Sequence, residues 1–145
     1  MRVLLQRVSS ASCVVEGKTI GAVERGLLLL VGIHHASTRE QAETLAIKCA
    51  ELRIFADEQG KMNLSAKDLQ LSALVISQFT LYGDTRKGRR PNFMDAARPE
   101  QAIPLYEHFI AQLRLHLPKV ETGQFGAMMQ IHLVNDGPVT LLLEA

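Results

Sequence analysis

The run at residues 27–33 is the feature that most restricts how this chain can fold. It consists almost entirely of large aliphatic residues, so the strand that it predicts must be covered on both faces. Two β-rich segments precede it, at residues 3–15 and 19–23, and a short glycine-containing turn follows each of them. Three strands joined in this way predict a β-meander at the start of the chain.

Two segments with helical periodicity follow the meander. In the first, apolar residues recur on one face at helical spacing: Ala42, Leu45, Ala46, Cys49 and Leu52. Ser37 followed by Glu40 predicts a capping box at the start of this helix. The second helix covers about residues 100–117. Pro104 is unfavourable in a helix interior, so we expect the regular helix to begin only near it.

The remaining strands lie before and after the second helix. Residues 71–79 predict a central strand, and residues 120–124, 127–134 and 139–143 predict three more. This order of elements predicts a single domain of the α+β class, residues 1–145. In this domain two helices pack on a mainly antiparallel sheet that curls toward a barrel.

Composition excludes several classes of protein. With 47% hydrophobic residues in 145, the chain can bury a sizeable core and is not disordered. The net charge of +1 means that any contact with nucleic acid must come from a local basic patch. Neither the N-terminus nor the apolar run at 26–33 resembles a signal peptide or a membrane span, which needs about 20 residues. We therefore expect a cytoplasmic protein with no membrane contact.

The stretch at residues 133–141 combines a turn signal with a misplaced proline. Asn135-Asp136-Gly137 between alternating apolar residues predicts a hairpin, yet Pro138 removes a backbone donor where the next strand should begin. One interpretation is a turn that ends an edge strand. The other is that Gly137 and Pro138 present backbone to a ligand, and the stretch alone does not decide between them.

The last strand, at residues 139–143, is too apolar to be a solvated edge. We therefore expect a second copy of the chain to cover it, which predicts a homodimer.

The two adjacent histidines do not predict a metal site. Neighbouring residues of a strand point to opposite faces of the sheet, so His34 and His35 should be unable to bind one ion. No other stretch has the spacing of metal ligands.

Two polar segments are candidates for function. The central strand ends in Ser77 and Thr80, whose hydroxyls could act as nucleophiles only with a base in reach, and no histidine has a suitable spacing. Binding of backbone or substrate is the commoner role for such hydroxyls. The long loop at residues 82–98 has five cations against two anions, which suits phosphate oxygens but also an ordinary solvated surface.

Three motifs together resemble those of the D-aminoacyl-tRNA deacylase (D-tyrosyl-tRNA deacylase) family. They are SQFTL at residues 77–81, KGRRPNF at 87–93 and NDGPVT at 135–140. The opening Gln6-Arg7-Val8 and the stretches at 53–63 and 122–126 also fit, and the resemblance extends from end to end of the chain.

The resemblance implies a homodimeric enzyme that needs no cofactor. It would hydrolyse the ester between a D-amino acid and the 3′-terminal ribose of tRNA, and would also act on mischarged glycyl-tRNA. In the family the Gly137–Pro138 pair is cis and reaches into the partner's active site, where its carbonyls hold the α-amino group. An L-side chain would collide with this wall.

The resemblance also implies roles for individual residues. Water would attack, helped by the ribose 2′-OH and by backbone amides of the turn formed by Ser77, Gln78, Phe79 and Thr80, although Thr80 also matches a hydroxyl proposed as the nucleophile. Phe125 and Met129 would shape the pocket, and Arg7 would fix the Gly-Pro loop. The tRNA acceptor end would contact four cations: Lys87, Arg89, Arg90 and Arg98.

Two alternatives remain open from the sequence. One is a non-catalytic module that binds RNA 3′ ends, and the other is a general esterase with a Ser or Thr nucleophile.

Overall fold

A computed structural model describes the whole chain, residues 1–145. Its strands and helices follow in the order β1 (Arg2–Val15), β2 (Lys18–Val23), β3 (Gly26–Gly32), α1 (Arg39–Glu51), β4 (Phe55–Ala56), β5 (Met62–Leu64), β6 (Ser72–Ser77), a 3₁₀ helix (Phe79–Tyr82), α2 (Pro99–Leu113), β7 (Lys119–Thr122) and β8 (Gln130–Glu144). The predicted α+β class with two helices is confirmed. The segment at 127–129, predicted as strand, lies outside β8.

Six strands form one curled sheet in the order β2-β1-β3-β6-β7, and β8 pairs with the other edge of β1. Strand β1 pairs antiparallel with β2, β3 and β8, whereas β6 pairs parallel with both β3 and β7. The sheet curls until β2 reaches β7: the Lys119 ammonium donates to the Ala22 carbonyl across 3.1 Å. The result is the predicted barrel-like sheet.

Strand β3 is covered on both faces, as its apolar run predicted. Leu27 and Leu29 belong to a core that also contains the buried faces of α1 and α2. Leu28, which points the other way, packs with Leu74 and Ile76 inside the curl of the sheet. Alternation along a strand therefore divides one apolar run between two cores.

Helix α1 begins one residue later than the predicted cap. Thr38 is the N-cap, and its hydroxyl accepts from the Gln41 N–H while the Gln41 side chain accepts from the Thr38 N–H. The predicted box of Ser37 and Glu40 is wrong, because the Ser37 hydroxyl accepts from the His34 N–H at 3.0 Å. The hydroxyl is thereby committed to the turn before the helix.

Helix α2 runs through Pro104 instead of starting near it. It begins with Pro99 at its first position, where proline is favourable. Pro104 lies on the exposed face, so its ring faces solvent while Phe109 and Leu113 anchor the opposite face in the core. Tertiary packing thus outweighs the local cost of the proline.

The predicted hairpin at residues 135–137 is wrong, because the chain does not reverse there. Strand β8 is continuous, and both its halves pair antiparallel with β1: Ile131 lies opposite Cys13, and Leu143 lies opposite Val3. The Asn-Asp-Gly signal marks a local irregularity within one long strand.

Candidate functional site

That irregularity is a bulge over Arg7. Val8 pairs with Asn135 and Gln6 pairs with Thr140, so four residues of β8, 136–139, lie opposite the single residue Arg7. The Gly137–Pro138 peptide bond is cis, and both residues are exposed. The bulge therefore presents the backbone of Gly137 and Pro138 to the outside of the sheet.

Two side chains hold the bulge in place. The Asn135 amide nitrogen donates to the carbonyls of Arg7 and Val139, at 3.1 and 3.0 Å, and so spans the base of the bulge. The Arg7 guanidinium pairs with the Asp136 carboxylate at 3.0 Å and donates to the Asp136 and Ile54 carbonyls. Arg7 thus contacts the segment that carries Gly137 and Pro138.

The end of β6 carries the second candidate feature, a turn with free backbone donors. The Gln78 N–H donates to the Val31 carbonyl at 2.8 Å. The next two amides, those of Phe79 and Thr80, have no hydrogen-bond acceptor in the chain. They are the first donors of the 3₁₀ helix, where intrahelical partners are lacking. Two adjacent N–H groups are thus free to bind an anionic oxygen.

No general base serves the hydroxyls of this turn. The Thr80 hydroxyl accepts a hydrogen bond from the Gln78 side-chain amide, which cannot take up a proton. The half-buried Ser77 hydroxyl has no carboxylate or imidazole as a partner. The expectation that neither hydroxyl has a base in reach therefore agrees with the geometry.

A small apolar pocket of about 70 Å³ opens beside the turn. Phe79 and Phe125 form part of its wall, together with Tyr106 from α2. The Tyr106 and Phe125 rings lie 5.9 Å apart, and the Tyr106 hydroxyl donates to the Val75 carbonyl at 2.9 Å. Burial raises the pKa of Tyr106 well above its usual value, so the hydroxyl stays protonated and serves as a donor.

Met129 lies on the other side of the segment that leads to β8. It packs against the core inside the curl of the sheet, which includes Cys13 and Ile76. Gly123 leaves room for it: a Cβ at that position would lie 2.6 Å from the Met129 sulfur. Phe125 reaches the pocket directly, whereas Met129 supports the segment that carries Phe125.

The basic loop is connected to the turn at its base. The Gly83 N–H donates to the Thr80 carbonyl at 2.9 Å, and paired hydrogen bonds between Asp84 and Asn92 close the loop. Arg86 forms an ion pair with Asp84 at 2.8 Å, which holds the pKa of that carboxyl at about 2, mainly through the side-chain hydrogen bond.

The other cations of this region are exposed and form no ion pair: Lys87, Arg89, Arg90 and Arg98. The loop that follows the turn therefore carries four cations without an ion-pair partner.

His34 and His35 lie after the end of β3, so the strand argument against a shared ion is wrong. Their rings are 4.1 Å apart, and their ligand atoms and that of Asp95 all lie within 4.8 Å of one another. His34 Nδ1 already accepts from the Ala36 N–H at 2.9 Å, which leaves only its Nε2 for another partner.

The bulge and the turn lie far apart within one chain. Arg7 pairs with Leu27, while Ser77 pairs with Val31, four residues further along β3. Three strand spacings also separate β8 from β6, since β1 and β3 lie between them. At about 3.3 Å per residue and 4.8 Å per strand, the separation measured along the sheet is on the order of 20 Å.

Comparisons with known proteins identify the family. The model of the family described as D-Tyr-tRNA(Tyr) deacylase matches residues 4–144. A D-aminoacyl-tRNA deacylase of Halalkalibacterium halodurans is 61% identical, with 100% of this chain and 99% of that protein covered. Another, of Brevibacillus brevis, is 59% identical with both chains fully covered.

Solved structures agree on the fold. A structure described as c-Myc DNA unwinding element binding protein superposes with a TM-score of 0.94 at 42% identity, covering 100% of this chain and 99% of that one. A probable eukaryotic D-amino acid tRNA deacylase superposes with a TM-score of 0.84 at 18% identity, covering 98% and 97%.

The fold, the motifs and these relatives define a hydrolase of the tRNA deacylase class. The chain belongs to the D-Tyr-tRNA(Tyr) deacylase family. The predicted family and enzyme class are thereby confirmed. None of the helices combines the length and the apolar character of a membrane span.

Sequence reasoning missed three residues that the structure brings to the site. Asn135 spans the bulge, Tyr106 supports the pocket, and Phe93 packs edge-on against Phe79 with ring centres 5.2 Å apart. Asn135 and Phe93 stand inside the recognised motifs, so the motifs were an available signal for them. Tyr106 follows the apolar spacing of helix α2, and only the fold reveals its contact.

Proposed function

We propose that this protein hydrolyses the ester bond of D-aminoacyl-tRNA and releases the free D-amino acid and tRNA. Water, assisted by the 2′-OH of the terminal ribose, attacks the ester carbonyl at the turn of residues 77–80. The bulge at Gly137 and Pro138 of a second copy of the chain completes the site and rejects L-amino acids. Glycyl-tRNA is a further substrate, because glycine has no side chain to collide with the bulge.

The observation that carries this proposal is the pair of free N–H groups at Phe79 and Thr80. Ester hydrolysis passes through a tetrahedral intermediate whose oxygen carries negative charge, and fixed backbone donors stabilise that charge. Such donors do not titrate near neutral pH. A site of this kind needs no base beside Ser77 and Thr80, because the 2′-OH of the substrate assists the attacking water.

The distance between the bulge and the turn supports a homodimer. A separation on the order of 20 Å is too large for both features of one chain to contact the same ester, so a shared site requires two copies. Strand β8 offers a surface for pairing: it is an edge strand, and its Val134, Leu141 and Leu142 side chains are 58%, 37% and 53% exposed.

Stereochemical selection would follow from the backbone of the bulge. Main-chain carbonyls of Gly137 and Pro138 would accept hydrogen bonds from the substrate's α-amino group. With the α-amino group held at the bulge and the ester carbonyl held at the turn, the two remaining directions at Cα are fixed, so an L-side chain points into the bulge and a D-side chain points away from it. Because no side-chain pocket is involved, many D-amino acids would be substrates.

The basic loop would hold the acceptor end of the tRNA. Lys87, Arg89, Arg90 and Arg98 are exposed beside the turn, where their charges can meet phosphate groups and position the ester. Because charged tRNA is used in translation, the enzyme is expected in the cytoplasm.

Deacylation of matched D- and L-aminoacyl-tRNA by the purified protein tests this function. We expect release of the D-amino acid and little release of the L-amino acid. Binding of tRNA with no release would favour a non-catalytic RNA 3′-end module instead.

Substitution of Thr80 separates the proposal from a general esterase. Thr80→Ala removes the hydroxyl but keeps the backbone N–H, so we expect kcat to fall by no more than about tenfold, the scale of one lost hydrogen bond. Loss of a true nucleophile would reduce kcat by about 10⁴-fold or more.

The shared site can be tested by mixing two defective variants. Chains with Phe79→Pro lack one amide of the turn, and chains with Arg7→Lys hold the bulge poorly and are expected to lose about tenfold or more in kcat/KM. In a mixed dimer one of the two sites is intact, so random exchange should restore about a quarter of the native activity. No recovery after exchange, or a monomer in sedimentation at micromolar concentration, would contradict the dimer.

A further inference from the structure

Three apolar side chains are exposed side by side next to the candidate site. Phe79 is 57% exposed, Phe93 is 37% exposed and Met94 is 80% exposed. The Phe79 and Phe93 rings meet edge to face, with centres 5.2 Å apart. Exposed apolar side chains of this size, next to a loop rich in cations, indicate an interaction site.

The backbone holds these side chains outward. Two hydrogen bonds between Asp84 and Asn92, of 2.7 and 2.9 Å, close the loop that precedes them. The Asn92 side-chain oxygen then accepts from the Met94 N–H at 2.9 Å, and the Phe93 carbonyl accepts from the Ala96 N–H at 3.1 Å. The exposure of Phe93 and Met94 is therefore built into an ordered turn.

The surroundings of this surface are cationic. Lys87, Arg89 and Arg90 stand on the same loop and form no ion pair. Exposed aromatic and apolar faces between unpaired cations suit a single-stranded nucleic acid, since bases stack on the apolar faces while cations contact the phosphates.

We infer that Phe93 and Met94 form a stacking platform for the unpaired bases that precede the terminal nucleotide of tRNA. This inference rests on the proposed function, which places the terminal nucleotide at the turn of residues 77–80. Successive nucleotides of a stacked strand are about 3.4 Å apart. Phe93, whose ring centre lies 5.2 Å from that of Phe79, is thus within reach of the next base.

The platform gives the enzyme a way to recognise a free 3′ end. A base that is paired within a duplex cannot stack on a protein side chain, whereas an unpaired base can. Recognition by stacking depends little on which base is present. The site would accordingly accept the acceptor ends of many tRNAs.

Two substrates distinguish the platform from a structural role. D-Aminoacyl-tRNA contains the preceding nucleotides, and D-aminoacyl-adenosine contains only the terminal nucleoside. For Phe93→Leu and Met94→Ser we expect KM for the tRNA to rise at least about fivefold, the lower end of one stacking contact. For Met94→Ser, which lies outside the turn, we expect kcat on the tRNA and kcat/KM on the adenosine ester to stay within about twofold. Leu115→Ser, which changes an apolar residue that is 74% exposed elsewhere, should alter neither.

Equal losses by Met94→Ser on both substrates would overturn the platform, because they would indicate a structural role and not a contact with the preceding nucleotides. Unchanged KM for tRNA in Met94→Ser, or dissociation of a dimer by that substitution, would also overturn it. Binding of a fluorescent single-stranded oligoribonucleotide with a free 3′ end provides a readout independent of catalysis. The platform predicts that Met94→Ser binds this oligoribonucleotide more weakly than the native protein does, whether or not the native protein releases an amino acid. If binding weakens but the native protein releases no amino acid, the proposed function fails and the platform stands.

Discussion

Arg7 holds Asp136 at two points, its carboxylate at 3.0 Å and its main-chain carbonyl at 3.2 Å, from a side chain that is only 12% exposed. Arg7 is the one residue of β1 opposite the bulge in β8. Strand β1 therefore holds the bulge in place although the two do not pair there. The Arg7 Nε serves both Asp136 oxygens, and Nη1 donates to the Ile54 carbonyl, a different direction in the plane of the guanidinium. The position of Gly137 and Pro138 therefore depends on a contact within their own chain.

Arg7→Lys should weaken catalysis more than folding. A lysine keeps the charge but loses the planar set of donors. Losing one charge-assisted hydrogen bond of about 1.5–3 kcal/mol should lower kcat/KM on D-aminoacyl-tRNA about tenfold or more. Arg25→Lys is the matched control, because Arg25 also lies over the Phe55 ring, at 5.5 Å, but forms no ion pair. Equal kinetics of the two variants would contradict a role for Arg7 at the bulge.

Phe79→Pro should reduce kcat about 10²- to 10³-fold, the usual effect of removing one donor to a developing oxyanion. Proline is acceptable at the first position of a helical turn, and Phe79 occupies that position in the 3₁₀ helix. Phe79→Leu keeps the N–H while shortening the side chain, so its loss of kcat should be far smaller. The single-turnover rate of deacylation distinguishes Phe79→Pro from Phe79→Leu. Similar rates of the two variants would exclude a role of the Phe79 N–H in catalysis.

Pro138→Ala should lower the preference for D- over L-aminoacyl-tRNA about tenfold. Alanine frees φ and returns a backbone N–H at the tip of the bulge, so the carbonyls around it lose their fixed direction. The ratio of kcat/KM values for the two enantiomers measures the effect. Pro118→Ala, at an exposed proline after α2, should leave the ratio unchanged. If Pro138→Ala also leaves it unchanged, the bulge does not select the enantiomer.

Tyr106→Phe should cost about 1 kcal/mol of stability, or roughly 3 °C in Tm. The loss is small because the Val75 carbonyl still accepts from the Gly123 N–H at 3.0 Å. Tyr82→Phe removes a hydroxyl that has no hydrogen-bond partner in the chain, and its Tm should change less. Thermal unfolding, monitored by circular dichroism, measures the Tm of both variants. A loss of several kcal/mol for Tyr106→Phe would show that the carbonyl depends on the phenol.

The closure of the basic loop should persist in mild acid. Hydrogen bonds from Arg86 lower the pKa of Asp84 from 3.8 to about 2. Because the pKa in the folded protein is below its unfolded value, the contribution is fully present above about pH 4 and is lost as the pH falls through about 2. Titration of the Asp84 carboxyl carbon by NMR measures this, and in Arg86→Gln the midpoint should return toward 3.8. A midpoint unchanged by that substitution would contradict the ion pair.

Much of the fold could be predicted because it depends on local pattern. The run at 27–33 is apolar at both its odd-numbered and its even-numbered positions, so both faces of the strand must be buried. Such a run is stable only as a strand between two cores. Helix α1 was predictable from the helical spacing of its apolar residues. Its N-cap lies one residue later than predicted, because the Ser37 hydroxyl accepts from the His34 N–H instead. The motifs at 77–81, 87–93 and 135–140 identified the family, because the residues of a motif are adjacent in the sequence.

Only the tertiary structure determined which residues that are distant in the sequence lie next to each other. Asn135-Asp136-Gly137 favours positive φ and tight turns, which serve a hairpin and a bulge equally well. The chain bulges there because β1 is long enough to pair with both halves of β8, a long-range relationship that no local pattern records. Likewise, His34 and His35 meet because β3 ends at Gly32. The sequence by itself determined most of the elements and the family, and pairing between distant strands decided that β8 is one bulged strand and that the turn and the bulge of one chain lie apart.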